Sequence, residues 1–155
     1  MDERFKKLLS SLQNQCARRE YCSNDMLKKA TMKLEGDRQA AEEIVAALVK
    51  DSYIDDFRYA SAFAREKSGI TGWGPLKIKM ALTAKGIPNG TILSALEEID
   101  SDKADSKLVK LMETKWRSLS DDPQGKLKLL RFALSRGYQY DQIKDAVEEI
   151  TSQSA

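Results

Sequence analysis

The 155-residue chain contains no histidine. That removes the commonest general base and the usual partner of a Ser or Cys nucleophile. It also leaves the two cysteines, Cys16 and Cys22, without the imidazoles that would complete a zinc site. They stand six apart on adjoining helical segments, and in a reducing compartment both are expected to be buried thiols rather than a disulfide. There is no Walker-type glycine loop and no GxSxG, and the two glycines of Gly72-Trp73-Gly74 do not extend to GxGxxG. No apolar run approaches the roughly 20 residues that span a bilayer. The opening MDERFKKLLSSL carries acids where a secretory signal would be apolar. The carboxylate pairs Asp55-Asp56 and Glu97-Glu98 diverge on a helix and have capping or surface explanations. The expectation is a cytoplasmic, monomeric protein that is not an enzyme, with no catalytic residue, cofactor, metal or membrane partner.

What the chain does have is helical periodicity. Hydrophobic residues make up 41% and charged residues 32% of it, a balance that folds. Ala104, Leu108, Leu111, Met112, Trp116 and Leu119 form an apolar stripe interrupted only by the stem of Lys115. No segment alternates as a strand would. The pattern predicts nine helices, near residues 3–20, 24–35, 38–50, 55–68, 75–85, 90–99, 103–119, 123–135 and 141–151.

The chain also repeats itself. KGIPNGTILSALEEI (85–99) returns as RGYQYDQIKDAVEEI (136–150), with Gly86 on Gly137, Ile92 on Ile143, Ala95 on Ala146 and Glu97-Glu98-Ile99 on Glu148-Glu149-Ile150. A weaker echo sets Leu34, Ile44, Ala47 and Leu48 against Leu82, Ile92, Ala95 and Leu96. This predicts an all-α protein of three tandem three-helix repeats, at 1–51, 52–101 and 102–155, packed into an elongated curved array. Gly86 and Gly137 each follow a basic residue and are expected to be left-handed helix caps. Asp55 is expected to cap the helix after it, with Ile54 as a staple and Asp56 in the first turn. Pro75 and Pro123 mark helix starts. Trp73 beside the first of these is either a core plug or part of a site where free N–H groups meet a phosphate or a partner surface.

Net charge is only +2, but its placement is uneven. Residues 26–34, 67–96 and 123–140 contain no acid. The basic residues there fall on the middle helix of each repeat: Lys28, Lys29 and Lys33; Lys77, Lys79 and Lys85; Lys126, Lys128, Arg131 and Arg136. A solvated helix usually mixes signs, so these ten residues, with Trp73, are expected to form a basic stripe for an anionic partner. Lysines suit phosphates or an acidic protein surface better than base edges. Sequence-specific control of transcription is therefore the weaker DNA reading.

Three stretches carry a resemblance: aromatic-Ile-Asp-Asp-x-Arg-aromatic-Ala at Tyr53 to Ala60, Gly-aromatic-Gly-Pro at 72–75, and Leu-x-x-Lys-Gly-Ile at 82–87. Lys115-Trp116-Arg117 and Leu129-Leu130-Arg131-Phe132 through Arg136-Gly137-Tyr138 add to it. Across about residues 15–150 the chain resembles the RecX family of bacterial regulatory proteins. That resemblance implies tandem three-helix repeats and a modulator of recombination and SOS repair. Such a protein binds the RecA recombinase filament on single-stranded DNA and restrains its ATP hydrolysis and strand exchange; some members also bind DNA directly. Two alternatives stay open: a DNA-binding protein acting without RecA, and a helical interaction scaffold.

Overall fold

A computed structural model describes residues 3–153. Residues 1, 2, 154 and 155, the outer ends of the first and third expected repeats, lie outside that range. The described residues hold nine α-helices and no strand. They are α1 (Glu3–Arg18), α2 (Ser23–Lys33), α3 (Arg38–Lys50), α4 (Asp56–Glu66), α5 (Pro75–Ala84), α6 (Asn89–Leu96), α7 (Ser101–Leu119), α8 (Gly125–Ser135) and α9 (Tyr140–Ser152). Each expected helix is present. One element was not legible: a π-helical turn, Lys67–Thr71, continues α4 and ends at Gly72 with φ 77°.

The helices belong to two compact units. Of the described residues, the first comprises 3–62 and 82–95 and the second 63–81 and 96–153, and the chain passes between them inside α4, α5 and α6. In the first, Phe5 and Leu12 of α1, Met26 and Ala30 of α2, and Ala41, Ile44 and Leu48 of α3 form one core with Ile54. In the second, Leu108, Met112 and Leu119 of α7 meet Leu129 and Ala133 of α8 and Ile143, Val147 and Ile150 of α9. These positions recur at three- and four-residue spacing because only one face of each helix can be dry. Burying each large aliphatic side chain contributes roughly 1.5–3 kcal/mol.

The punctuation is mostly as expected. Asp55 Oδ1 accepts the Arg58 N–H at 3.0 Å, capping α4, and Ile54 is buried. Gly86 and Gly137 have φ of 80° and 94°, and Pro75 opens α5. Asp56 does more than favour its own first turn. Its carboxylate accepts the Ser23 backbone N–H at 2.8 Å and the Ser23 hydroxyl at 2.6 Å, so it also caps α2. Pro123 departs from expectation: α8 begins at Gly125, two residues later. A Cβ on Gly125 would lie 2.2 Å from the Leu119 carbonyl oxygen, so the end of α7 and the start of α8 meet backbone to backbone. Cys16 and Cys22 are both free thiols, half-buried and buried respectively. Burial, first of all, raises both thiol pKa values, which makes them poor nucleophiles.

Candidate partner-binding surface

The first unit carries four of the sequence-predicted basic residues. Lys28 and Lys33 are exposed on α2. Lys29 donates to Gln15 Oε1, and its ammonium lies 5.5 Å from the centre of the Tyr21 ring. The Arg19 guanidinium lies over the same ring at 4.4 Å. Lys85, just beyond α5, pairs with Asp25 of α2 at 2.8 Å. Partial burial pushes the Asp25 carboxyl up, but the hydrogen bond and charge of Lys85 outweigh it, leaving the pKa below its ordinary 3.8. Lys85, hydrogen-bonded to Asp25, is raised.

A carboxylate with a lowered folded pKa stabilises the fold above its unfolded value and loses that contribution as pH falls through the folded one. Asp25→Asn is therefore expected to flatten the fall of melting temperature on acidification below about pH 5, with little change in its slope near neutrality. Parallel acid limbs for the variant and the parent chain would exclude this role. The contribution is small, since both partners are about one-third exposed and solvent screens them.

The second unit holds the other six, together with Trp73. Lys126 and Lys128 of α8 pair with Glu148 of α9 and with Asp122. A stretch without acids in sequence is thus not without acids in space. Arg131 is exposed on α8, and Lys79 is half-buried on α5. The remaining three, Trp73, Lys77 and Arg136, are drawn together around the start of α5.

That start is not an open anion site. The Gly74 N–H donates to the Arg136 carbonyl at 2.5 Å and the Leu76 N–H to the Gly137 carbonyl at 3.2 Å. The positive end of α5 is closed by the negative end of α8, each satisfying groups the other leaves unpaired. The phosphate-on-N–H reading of the Gly-Trp-Gly-Pro turn is corrected accordingly. The approach needs two glycines, since a Cβ on Gly74 would lie 2.5 Å from the Gly137 oxygen and one on Gly137 2.4 Å from Lys77 Cβ.

Side chains, rather than backbone N–H groups, make the charged surface here. Trp73 is half-buried and meets Phe63 edge to face, with centroids 6.1 Å apart and planes at 70°. The ammonium groups of Lys67 and Lys77 lie 4.9 Å and 4.5 Å from the Trp73 ring centre. Lys67 also lies 5.6 Å from the centre of Phe63. Arg136 donates to the Thr71 carbonyl at 3.3 Å, with its guanidinium 5.0 Å from the centre of Phe132; Lys115 is 5.7 Å from that ring. Lys77 reaches the Ser135 carbonyl at 3.3 Å. Four cations and three aromatic rings are gathered by α4, the π-helical turn, α5, α7 and α8. Cations held over ring faces are positioned without acids. Such a surface offers point charges to phosphates and ring edges to bases or apolar side chains.

Lys67, Lys115, Phe63 and Phe132 were missed by the sequence reading. Lys67 lies in the same acid-free stretch as Lys77, and Lys115 is the residue that breaks the apolar stripe of α7. Both signals were available, but selecting charges by middle helix passed over them.

Two models of one family match the chain, described as RecX, second three-helix domain, at residues 55–96, and RecX, third three-helix domain, at residues 104–147. Together they take in more than half of it. The chain belongs to the RecX family. Among RecX relatives, the regulatory protein RecX of Clostridium tetani is 29% identical over 118 residues, covering 74% of this chain and 54% of the relative. That of Bacillus mycoides is 33% identical over 110 residues, covering 70% and 41%. The aligned region thus spans about half the length of these RecX proteins. The crystal structure of RecX from Lactobacillus salivarius superposes with a TM-score of 0.80, covering 97% of this chain and 98% of that one. A second structure, of regulatory protein RecX, gives 0.79 over 92% and 72%. Both are 23% identical, so they establish a shared RecX fold.

Proposed function

We propose that this RecX-family chain binds the RecA recombinase filament assembled on single-stranded DNA and lowers its ATP hydrolysis and strand exchange. In that role it is a regulator of recombination and the SOS response rather than an enzyme, working as a cytoplasmic monomer. The family matches across the second and third three-helix domains support the regulatory role. The cluster of Lys67, Lys77, Lys115 and Arg136 on Phe63, Trp73 and Phe132 is the observation that carries the contact. A nucleoprotein filament presents phosphates together with protein surface, and fixed cations beside aromatic rings are chemically matched to both. Lys28 and Lys33 on the exposed side of α2 are proposed to add non-specific attraction.

The test is the rate of ATP hydrolysis by RecA from the same organism on single-stranded DNA as the chain is titrated in. The expected result is a progressive fall at concentrations too low to coat the DNA. An unchanged rate with folded, helical protein would transfer the function to direct DNA binding. In that case affinity for a single strand should fall with salt by a log–log slope of about −0.7 per phosphate contacted. A scaffold with no nucleic-acid role would show neither effect.

A further inference from the structure

The outer face of α1, in the first unit, carries charge that neither the core nor the Trp73 cluster uses. Residues 4–19 hold five basic residues and no acid, and selecting charges by middle helix passed over them. Lys7, Ser10, Ser11, Asn14, Gln15 and Arg18 recur at three- and four-residue spacing, on the side of α1 opposite the buried Phe5 and Leu12. They line a shallow trough of about 430 Å³. Small-molecule pockets are mostly apolar, and this lining holds no apolar side chain.

The acids nearest the trough are engaged elsewhere. Glu3 lies 4.0 Å from Lys6. Glu20 accepts from Arg58 Nε at 2.6 Å, and its other carboxylate oxygen is buried. Lys7 and Arg18 are therefore exposed and, among the described residues, without an ion pair. Eleven positions of helix separate them, roughly 16 Å along the axis. Between them stand hydroxyl and amide groups that can donate. At the Arg18 end the Tyr21 ring holds the Arg19 guanidinium at 4.4 Å and the Lys29 ammonium at 5.5 Å. Lys29 also donates to Gln15, which joins that cluster to the trough.

This chemistry selects its partner. The centre of a protein interface is apolar and depleted of charge, whereas cations interleaved with neutral donors are what phosphates take. A duplex presents two stiff backbones and would need a second basic row beside the first. The flanking cations do not supply one, since Arg4 is paired with Glu35 at 3.5 Å and Lys6 stands by Glu3. A flexible single strand can follow a row one helix wide.

We propose that the outer face of α1 is a binding site for single-stranded DNA. Lys7 and Arg18 each hold a phosphate, Ser11 and Asn14 donate to the backbone between them, and Arg19 and Lys29 extend the path past Tyr21. The site lies outside the matched second and third RecX domains and does not rest on the filament reading, because it gives the chain a DNA contact of its own.

The experiment follows binding of a fluorescent oligodeoxythymidine to the full chain by anisotropy, without RecA, over a series of salt concentrations. The Lys67→Glu/Lys77→Glu chain serves as background, so that the Trp73 cluster does not contribute. Lys7→Gln with Arg18→Gln should weaken binding at least about tenfold near ~0.1 M salt. It should also make the log–log salt slope shallower by about 1.4, for two phosphates at about 0.7 each. Both residues are exposed and glutamine is a good helix former, so thermal melts should be unchanged. Lys6→Gln with Lys50→Gln removes the same charge from elsewhere in the unit and should barely move the slope. Equal losses from the two pairs, or an unchanged slope in the Lys7/Arg18 variant, would overturn the proposal. So would tighter binding of a duplex of the same length, or displacement of the strand by polyglutamate of equal charge, which would make the face a site for acidic protein. Inhibition of RecA ATP hydrolysis is read separately. If DNA binding depends on α1 but RecA is not inhibited, only the filament reading fails; inhibition without binding that depends on α1 sinks only this site.

Discussion

Gly137→Ala is expected to destabilise the second unit by about 2–5 kcal/mol, through two independent costs. The first is conformational: φ at Gly137 is +94°, and a residue with a Cβ held in the left-handed region costs roughly 1–2 kcal/mol. The second is steric. The new Cβ would lie 2.4 Å from Lys77 Cβ and 2.6 Å from the Lys77 backbone nitrogen. The backbone nitrogen cannot move away as a flexible side chain could, and overpacking of this kind costs roughly 1–3 kcal/mol. Separating α8 from α5 would also stretch the bonds from Gly74 and Leu76 to the Arg136 and Gly137 carbonyls. Urea denaturation followed by circular dichroism measures the loss. Gly90→Ala is the control: Gly90 lies in α6 with nothing within 4 Å of its added Cβ. There a methyl group should be neutral or stabilising by up to about 1 kcal/mol. If the two variants unfold at the same urea concentration, close glycine packing does not join α5 to α8.

Lys67→Glu combined with Lys77→Glu is expected to weaken the proposed inhibition of RecA ATP hydrolysis by at least roughly tenfold, since each reversal replaces attraction to a polyanion with repulsion. The loss should shrink as salt is raised, because exposed charges are screened. Lys28→Glu with Lys33→Glu is the informative comparison. Both residues are exposed on α2 of the other compact unit, and their reversal should have the smaller effect. Lys126→Glu belongs in neither set, because Lys126 is paired with Glu148 and its reversal would place two acids together. Unchanged inhibition by the Lys67/Lys77 variant, with native helicity and a cooperative melt, would remove the aromatic–cationic cluster from the account. Equal losses from both pairs would instead point to diffuse attraction over the basic surface.

The nine helices were legible because their signals are local. An apolar stripe such as Leu108, Met112 and Leu119 identifies the buried face of α7 whatever it packs against. Caps are equally local: Asp55 bonds three residues ahead, and glycine at 86 or 137 is demanded by the sign of φ. The π-helical turn Lys67–Thr71 left no such mark, since KSGIT holds no residue that distinguishes a π turn from an α turn. The start of α8 was misplaced for a related reason. Proline reports that a helix can begin nearby, whereas the backbone contact between Gly125 and Leu119 decides where it does.

Sequence alone determined the all-helical class, the repeat, the acid-free stretches and the residues that carry a family likeness, because each depends on the order and spacing of side chains. Tertiary structure decided which charges stand with which partners. Lys85 and Asp25 are 60 residues apart, and Lys126 meets Glu148 from the next helix. Arg136 reaches Thr71 across 65 residues. Tertiary structure likewise closed the start of α5 with the end of α8, and it set Lys67 and Lys77 on the ring of Trp73. Electrostatic and hydrogen-bond energies depend on separation in space, which sequence spacing reports only along a single helix.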